Sequence, residues 1–468
     1  MTALARHSRF IAILSAGLLL RVLLAFVLYP KQGFSSDMQL FAGWATTLAR
    51  VGPGAFYATA TGADYPPGYM YILWLLGSAP AAALPLLLKM PAILADLGIA
   101  AVLYWAGRRW LGQRAGLIAA ALYLVIPVTW YDSALWGQVD AVGALLLIAS
   151  LVLLIERQSE AAIALAVLAI LVKPQEAIGL VVVLPVLVRR HLIESGSRRR
   201  LVTSAFAGAA ALVLPLVPFD IGGVAGLLRL FQTDADRYSV LTANAFNIWA
   251  LVGGTPLAQI IGGSGGSWTA DSLAIGGTTA FIVGASALAA VGLVVAGGLL
   301  VRDGRVPILL GFAIVAFAFY AVPTRVHERY LFPFFTAGAL LAAEFVAASA
   351  GYLIVGLLNA VNLHAILGAP LSVGAGVAGL GRGGGPGAIR GGGGGLGGLG
   401  GFGTQIASIR LPFADLARSE MIVALVALGQ TAALVALLVA WCVLVIRPRP
   451  IARAAEAPYV AWRPSSTS

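Results

Sequence analysis

The sequence predicts an all-α polytopic membrane protein with about 12 transmembrane helices in a single transmembrane domain over residues 1–468. Of the 468 residues, 60% are hydrophobic and 10% are charged, and the mean hydropathy of +0.93 lies above the range of soluble domains. Arginines cluster at the ends of long apolar runs, so the net charge of +11 indicates membrane topology rather than nucleic-acid binding. The single cysteine, Cys442, excludes an intramolecular disulfide.

The transmembrane helices are placed by apolar length and oriented by the Lys and Arg content of the loops. The first run follows Arg6 and Arg9, and no small-residue cleavage site comes after it, so we expect an uncleaved span that begins in the cytoplasm. The predicted spans are residues 10–29, 84–106, 115–130, 139–155, 161–172, 177–188, 201–219, 276–301, 306–322, 330–347, 352–367 and 421–446. Residues 250–263 could cross as well, which leaves the number open by one or two.

Three segments are predicted to lie outside the membrane on the external side. Residues 30–80 form a first loop that is too polar and too rich in Gly and Pro to cross, and its many aromatics predict short interfacial helices. Residues 220–272 form a second large external segment. Residues 371–403 are rich in glycine and lack the pattern of a phosphate-binding loop, so we expect a flexible insertion.

The unusual polar residues all fall on the external face, although the orientation depends only on the arginine-rich turns. A random scatter would divide them between the two faces. A shared face therefore predicts one cavity lined from several spans and open to the outside. These residues are 37, 64–67, 136–140, 173–175, 234–237, 244–249 and 325–329.

Four cationic or titratable residues of this face suit an anionic leaving group. Arg325, His327 and Arg329 lie between two apolar runs, where polar groups are costly and mark a site by default. Arginine forks pair with phosphate oxygens and stabilise developing negative charge. Lys173 ends a short span and is followed by a proline, so it could contact the same phosphate or extend to lipid headgroups. A plain charged loop between two spans is the alternative interpretation of residues 325–329.

The candidate general base is Asp37, directly after the first span. A carboxylate there can accept a proton from a hydroxyl nucleophile, although an aspartate before Met-Gln-Leu-Phe also suits a helix N-cap. Other side chains could bind hydroxyls, stack on a sugar, cap a helix, anchor in the interface or order the arginines. The predicted sugar- or acceptor-binding residues are Asp64, Tyr65, Trp136, Gln138, Asp140, Gln175, Asn244, Asn247 and Glu328.

No cofactor is predicted, and a divalent metal ion is only weakly supported. The chain has four histidines and no His-x-x-x-His spacing, so His327 makes a poor metal-ligand candidate.

The order and the common face of these motifs resemble those of the GT-C glycosyltransferases. More narrowly, they look like the bacterial mannosyltransferase-like members that take a sugar from a polyprenyl phosphate. The resemblance covers about residues 10–350. It consists of an early Asp37, then Asp64-Tyr65-Pro66-Pro67-Gly68-Tyr69, Trp136-Gly137-Gln138-Val139-Asp140, Lys173-Pro174-Gln175, Asn244-Ala245-Phe246-Asn247-Ile248-Trp249 and His327-Glu328-Arg329-Tyr330. The pair His327-Glu328 also resembles a motif of the eukaryotic dolichyl-phosphate-glucose transferases.

The resemblance implies an inverting transfer of a hexose, mannose-like, on the extracytoplasmic face of a bacterial plasma membrane. The donor would be a polyprenyl-phosphate sugar, the acceptor a hydroxyl of a lipid, glycan or protein, and Asp37 the general base; no nucleic acid takes part. Met38 stands where the family has a second acidic residue, which weakens any metal assignment.

The alternative function is a transporter or flippase of a lipid-linked sugar. Carriers often show inverted repeats and charges near the midplane. No internal repeat is visible in this sequence, and only Arg21 and Asp96 lie clearly within spans.

Overall fold

The computed structural model describes residues 3–60, 62–194, 197–252, 269–368 and 407–446. The predicted glycine-rich insertion at 371–403 and most of the ambiguous segment 250–263 lie outside these ranges.

The described chain is mainly helical. Its first half contains α1 (Ala3–Val22), α2 (Ser35–Thr59), α3 (Pro67–Gly77), α4 (Leu84–Leu87), α5 (Met90–Leu111), α6 (Gln113–Val125), α7 (Pro127–Trp130), α8 (Asp140–Ile155), α9 (Ser159–Val172) and α10 (Leu180–Val188). Its second half contains α11 (Arg198–Val213), α12 (Gly223–Arg237), α13 (Ala280–Val301), α14 (Arg305–Ala321), α15 (Phe334–Glu344), α16 (Val346–Leu367), α17 (Ala414–Ala417) and α18 (Glu420–Ile446).

Shorter elements join these helices. The π-helical turns are Leu23–Leu28, Tyr131–Trp136 and Arg189–Ile193, and the 3-10 turns are Pro174–Gly179, Leu214–Leu216 and Ile248–Leu251. The strands are β1 (Gln32–Gly33), β2 (Ala274–Ile275), β3 (Thr278–Thr279) and β4 (Ala407–Ser408). β1 pairs in parallel with β4, and β2 pairs with β3 as an antiparallel hairpin.

The predicted fold class, an all-α polytopic membrane protein, is confirmed. Six described helices are long and apolar enough to cross a membrane, or seven if the pair Gln113–Val125 and Pro127–Trp136, bent by 52°, is one span. Four shorter apolar helices, Asp140–Ile155, Ser159–Val172, Arg305–Ala321 and Phe334–Glu344, complete the bundle. The number of about 12 spans stays a prediction.

The structure corrects two predicted span boundaries. The predicted spans 330–347 and 352–367 are divided earlier, at Phe345, which has an extended backbone. Glu344, the last residue of α15, accepts a hydrogen bond of 2.5 Å from Arg305 at the beginning of α14. The predicted span 177–188 begins as the 3-10 turn Pro174–Gly179, since proline after Lys173 cannot continue α9.

The predicted first external loop folds into α2 and α3, and α2 is divided by a kink at Gly52, whose backbone is left-handed with φ of 74°. Buried aromatics of α2 and α3, among them Phe41 and Tyr69, pack into a small second core together with residues of neighbouring elements. A Cβ at Gly68 would lie 2.4 Å from the Leu171 carbonyl oxygen, so only glycine lets α3 approach the end of α9 so closely. This contact brings the first loop to Lys173.

The membrane core contains a buried ion pair that the sequence alone could not reveal. Arg21 Nε of α1 donates to Asp96 Oδ2 of α5 over 2.7 Å, and both side chains are fully buried. Tyr123 Oη donates to the other Asp96 oxygen over 2.7 Å, and Arg21 also donates to Thr129. Since a buried charge must be paired, this network fixes α1 against α5 and α6.

Candidate active site

A cavity of about 330 Å³ lies at one end of the bundle. The beginning of α2, the end of α9, α12 and the loop after α14 meet there. Eight predicted site residues line it: Asp37, Asp64, Tyr65, Lys173, Gln175, Arg325, His327 and Arg329. Four more are hydrogen-bonded to lining residues from behind: Trp136, Gln138, Asp140 and Glu328.

Asp37 is held at the cavity by two donors on the same carboxylate oxygen. Its Oδ2 accepts from Trp136 Nε1 at 3.0 Å and from Gln138 Nε2 at 2.6 Å. The side chain remains 20% exposed. Both bonds hold Oδ2, and neither occupies Oδ1, so the carboxylate is oriented and still has an oxygen that can receive a proton.

The turn that presents these donors depends on glycine. Gly137 has a left-handed backbone with φ of 85°, and a Cβ there would lie 2.2 Å from Met38 Sδ. The preceding Trp136 stacks on Phe34 with ring centroids 4.4 Å apart, and its carbonyl accepts from the Phe34 amide. Residues 136–138 are therefore fixed to the start of α2, where Asp37 lies.

Lys173 is bound to a buried carboxylate. Its Nζ donates to Asp140 Oδ1 over 2.8 Å, and Gln175 Nε2 donates to the same oxygen over 2.9 Å. Asp140 is fully buried at the first residue of α8, where the helix dipole favours a negative charge. The pair therefore fixes the end of α9 to the beginning of α8 and directs the ammonium toward the cavity.

Arg329 lies among three carboxylates. Its Nη1 donates to Glu328 at 2.8 Å, its Nη2 lies 3.9 Å from Asp37 Oδ2, and its Nε lies 3.8 Å from Asp140 Oδ2. Burial alone would lower the pKa of Arg329, but Asp37 and Glu328 raise it well above its usual value. The guanidinium, 9% exposed, is therefore a permanent cation at the cavity wall.

His327 and Glu328 contribute differently from Arg329. Burial, with Arg329 and Lys173, holds the pKa of His327 well below its usual value, so the imidazole is neutral at pH 7. It can donate a hydrogen bond but adds no charge to a phosphate site. Burial raises the pKa of Glu328 above its usual value, although Arg329 opposes the shift.

Arg325, although it lines the cavity, already has protein partners. Its Nε donates to Asp271 at 2.6 Å and its Nη1 to Asp236 at 3.0 Å, and its backbone is left-handed with φ of 67°. Asn244 and Asn247 do not line the cavity. The Asn247 side chain donates to the Tyr320 carbonyl, and the main-chain carbonyl of Asn244 accepts from the Asn362 side chain.

Asp64 lies on the far wall with residues of α12. It forms an ion pair with Arg237, and its Oδ1 is buried without a hydrogen-bond partner among the described residues. Burial raises the pKa of Asp64 to about 6, although Arg237 opposes the shift. Sequence reasoning placed residues 234–237 on this face without giving them a role.

Two buried carboxylates were missed. Both oxygens of Asp132 and of Glu176 are buried and have no hydrogen-bond partner within the described ranges. The sequence pattern that could have identified them is an acidic residue among apolar neighbours. This pattern is uncommon here because the chain has only 19 Asp and Glu residues. The described residues contain no group of three or more His, Cys, Asp or Glu that could hold a metal ion.

No family model matches the sequence, and no curated protein matches it either. Three solved structures are similar in part. Those of ArnT from Cupriavidus metallidurans, in the apo state and bound to undecaprenyl phosphate, have TM-scores of 0.48 and 0.47 at 16% identity and cover 95% and 94% of this chain and 78% of the ArnT chain. The Archaeoglobus fulgidus oligosaccharyltransferase, tethered with an acceptor peptide, has a TM-score of 0.42 at 14% identity; the match covers 93% of this chain and 55% of that chain.

All three TM-scores lie below 0.5 and all identities below 25%. The function therefore has to be inferred from the chain's own site.

Proposed function

We propose that the protein is a membrane glycosyltransferase that moves a sugar from a polyprenyl-phosphate donor to an acceptor hydroxyl. The observation that carries the proposal is that one cavity holds an oriented carboxylate and two cations. Asp37 is fixed by Trp136 and Gln138, and Lys173 and Arg329 line the same space. A base beside a phosphate-binding set is what a displacement at an anomeric carbon requires.

The chemical step is a direct displacement with inversion. The acceptor oxygen attacks the anomeric carbon, and Asp37 Oδ1 takes the hydroxyl proton as the new C–O bond forms. The bond from the anomeric carbon to the phosphate oxygen breaks, and its electron pair leaves with the polyprenyl phosphate. Lys173 and Arg329 stabilise the negative charge that develops on the leaving oxygen.

Neighbouring carboxylates keep the cations in place before the donor binds. Asp140 holds Lys173, and Glu328 holds Arg329. Both Asp140 Oδ2 and Arg329 Nε are buried without a hydrogen bond in the described part of the chain. A phosphate in the cavity would add an acceptor for the Arg329 guanidinium, which lines it.

The cavity also suits a lipid-linked donor. Its wall includes apolar side chains, among them Phe41, Ile178, Phe231 and Phe319, beside the polar residues. An isoprenoid chain could follow this apolar wall toward the bilayer while its phosphate meets Lys173 and Arg329. We propose a mannose-like hexose, an extracytoplasmic reaction in a bacterial plasma membrane, and a lipid, glycan or protein acceptor. This part rests on the family resemblance of the motifs and on the arginine-rich turns.

A transfer assay tests the proposal. Purified full-length protein is reconstituted in liposomes with a radiolabelled polyprenyl-phosphate sugar and candidate lipid, glycan and peptide acceptors, with and without a chelator. We expect label in the acceptor, release of one polyprenyl phosphate for each sugar transferred, and the opposite anomeric configuration in the product. Movement of the donor between leaflets without transfer would favour a flippase and contradict the proposal.

A further inference from the structure

A second pocket, about 220 Å³ in volume, lies at the other end of the bundle. We call it the basic pocket, and its lining residues are Arg157, Ser159, Arg190, His191, Ser197 and Arg200. The helix α8 begins beside the cavity at Asp140, and α9 returns there at Lys173, so the turn that joins them is one helix length away. For 16 residues this length is about 24 Å, comparable with the hydrocarbon core of a bilayer.

The basic pocket is lined by three arginines and, among the described residues, by no carboxylate. Arg190 pairs with Asp303 outside the lining, and Arg200 pairs with Glu160 at 2.7 Å. Arg157 is exposed, and its guanidinium has no hydrogen-bond or ion-pair partner within the described ranges. Arg157 is therefore a cation with no anionic partner in the described part of the chain, next to two arginines that carboxylates hold in place.

Two helix N-termini meet at the same pocket. Ser159 is the first residue of α9, and Ser197 is the N-cap of α11, where its side chain makes no capping hydrogen bond. The His191 ring lies 2.9 Å from Ser159 Oγ and fixes that hydroxyl. First-turn N–H groups lack partners within their helix and carry partial positive charge, so they favour a bound anion. The two helix N-termini therefore border the same space as the arginines.

We infer that the basic pocket binds a phosphate-bearing anion at the membrane boundary opposite the cavity. Phosphate suits the set because it accepts several hydrogen bonds and pairs with arginine forks. The position at a membrane boundary suits the headgroup of an anionic phospholipid, and the helix N-termini would hold a soluble phosphate compound equally well. This site is separate from the cavity and does not depend on the proposed transfer.

The test measures affinity on the purified full-length protein in a neutral detergent. Three probes are titrated by isothermal calorimetry: dioctanoyl phosphatidylglycerol, dioctanoyl phosphatidylcholine and inorganic phosphate. Arg157→Gln should weaken binding of the phosphate probe roughly tenfold, the effect of one charge-assisted contact, whereas Arg157→Lys should lose less. The matched control is Arg199→Gln, which removes the same charge from an exposed arginine that does not line the pocket.

A second variant adds a negative charge to the pocket itself, where it would compete with the bound anion. Ser197→Asp keeps a good N-cap for α11 and adds a fixed carboxylate where the anion would lie, so it should abolish binding while the melting temperature is retained. Binding of phosphatidylglycerol alone identifies a lipid headgroup, and binding of inorganic phosphate as well identifies a soluble phosphate; both support the inference. It is overturned if Arg157→Gln and Arg199→Gln weaken binding equally, or if no probe binds better than phosphatidylcholine.

Discussion

The two ends of the α8–α9 hairpin hold arginines in opposite surroundings. At the cavity, Arg329 is buried and lies within 4 Å of three carboxylates. At the basic pocket, Arg157 is exposed and has no carboxylate partner among the described residues. A buried cation fixed by several anions keeps one orientation, as a chemical step requires, whereas an exposed cation suits reversible binding. The same residue type would thus serve the proposed transfer at one end and the proposed anion binding at the other.

Burial also changes how strongly a charge acts. Interactions of charges away from water are less screened, so substitutions at the cavity should have larger effects than those at the opposite end.

The largest effect is expected for Asp37→Asn. Asparagine keeps a side-chain oxygen that can accept from Trp136 and Gln138 but cannot take the acceptor proton. The transfer rate should fall about 10²- to 10⁴-fold in the radiolabel assay. As a control in the same cavity, Asp64→Asn removes an equal charge and should lose much less. A rate near that of the wild type in Asp37→Asn would show that another group is the base.

Arg329→Gln should lower kcat/KM for the donor about 10²- to 10³-fold, because the leaving phosphate loses a fixed donor. Arg329→Lys keeps the charge but not the two-pronged guanidinium, so its kcat/KM should lie between those of the wild type and Arg329→Gln. Melting temperatures in detergent must be measured with the kinetics, since loss of Arg329 leaves Glu328 buried and unpaired. At the opposite end, Arg199→Gln should change transfer less than about twofold. Equal losses of transfer activity in Arg329→Gln and Arg199→Gln would contradict the contrast between the two ends.

Gln138→Leu should reduce kcat about tenfold to a hundredfold with little change in KM, since it removes one charge-assisted hydrogen bond that orients Asp37. Gln138→Glu keeps the shape but places a second negative charge beside that carboxylate, so its loss should be greater. If KM rises and kcat is unchanged in both variants, Gln138 binds substrate rather than positions the base.

The smallest effect concerns pH and stability. Burial raises the pKa of Asp64 to about 6, above the usual 3.8, so the folded protein holds this proton more tightly than the unfolded chain. The contribution of Asp64 to the free energy of unfolding is therefore fully present below about pH 4 and is lost as pH rises through 6. Melting temperatures between pH 4 and 7 should fall more for the wild type than for Asp64→Asn. Parallel plots of melting temperature against pH for the two proteins would contradict the raised pKa of Asp64.

Much of the architecture could be predicted from the sequence because apolar length and arginine position are local signals. The convergence of Asp37, Lys173 and Arg329 on one cavity agrees with the shared external face that the topology predicts. Their roles in transfer stay predictions.

Features that depend on helix rotation and long-range packing could not be derived from the sequence. The pairing of Arg21 with Asp96 and the contacts of Arg325 with Asp271 and Asp236 join segments far apart in the chain. For the same reason, sequence alone could not show that Asn247 holds the Tyr320 carbonyl and that neither Asn244 nor Asn247 lines the cavity.

We expect the cavity to have two halves, a base at Asp37 and a phosphate site at Arg329. Equilibrium binding of polyprenyl phosphate to Asp37→Asn and Arg329→Gln, measured side by side on the purified protein, tests it most directly. Asp37→Asn should bind this ligand at least as tightly as the wild type, because a negative charge is removed, while Arg329→Gln should bind roughly tenfold more weakly. Weaker binding by Asp37→Asn with unchanged binding by Arg329→Gln would contradict the account.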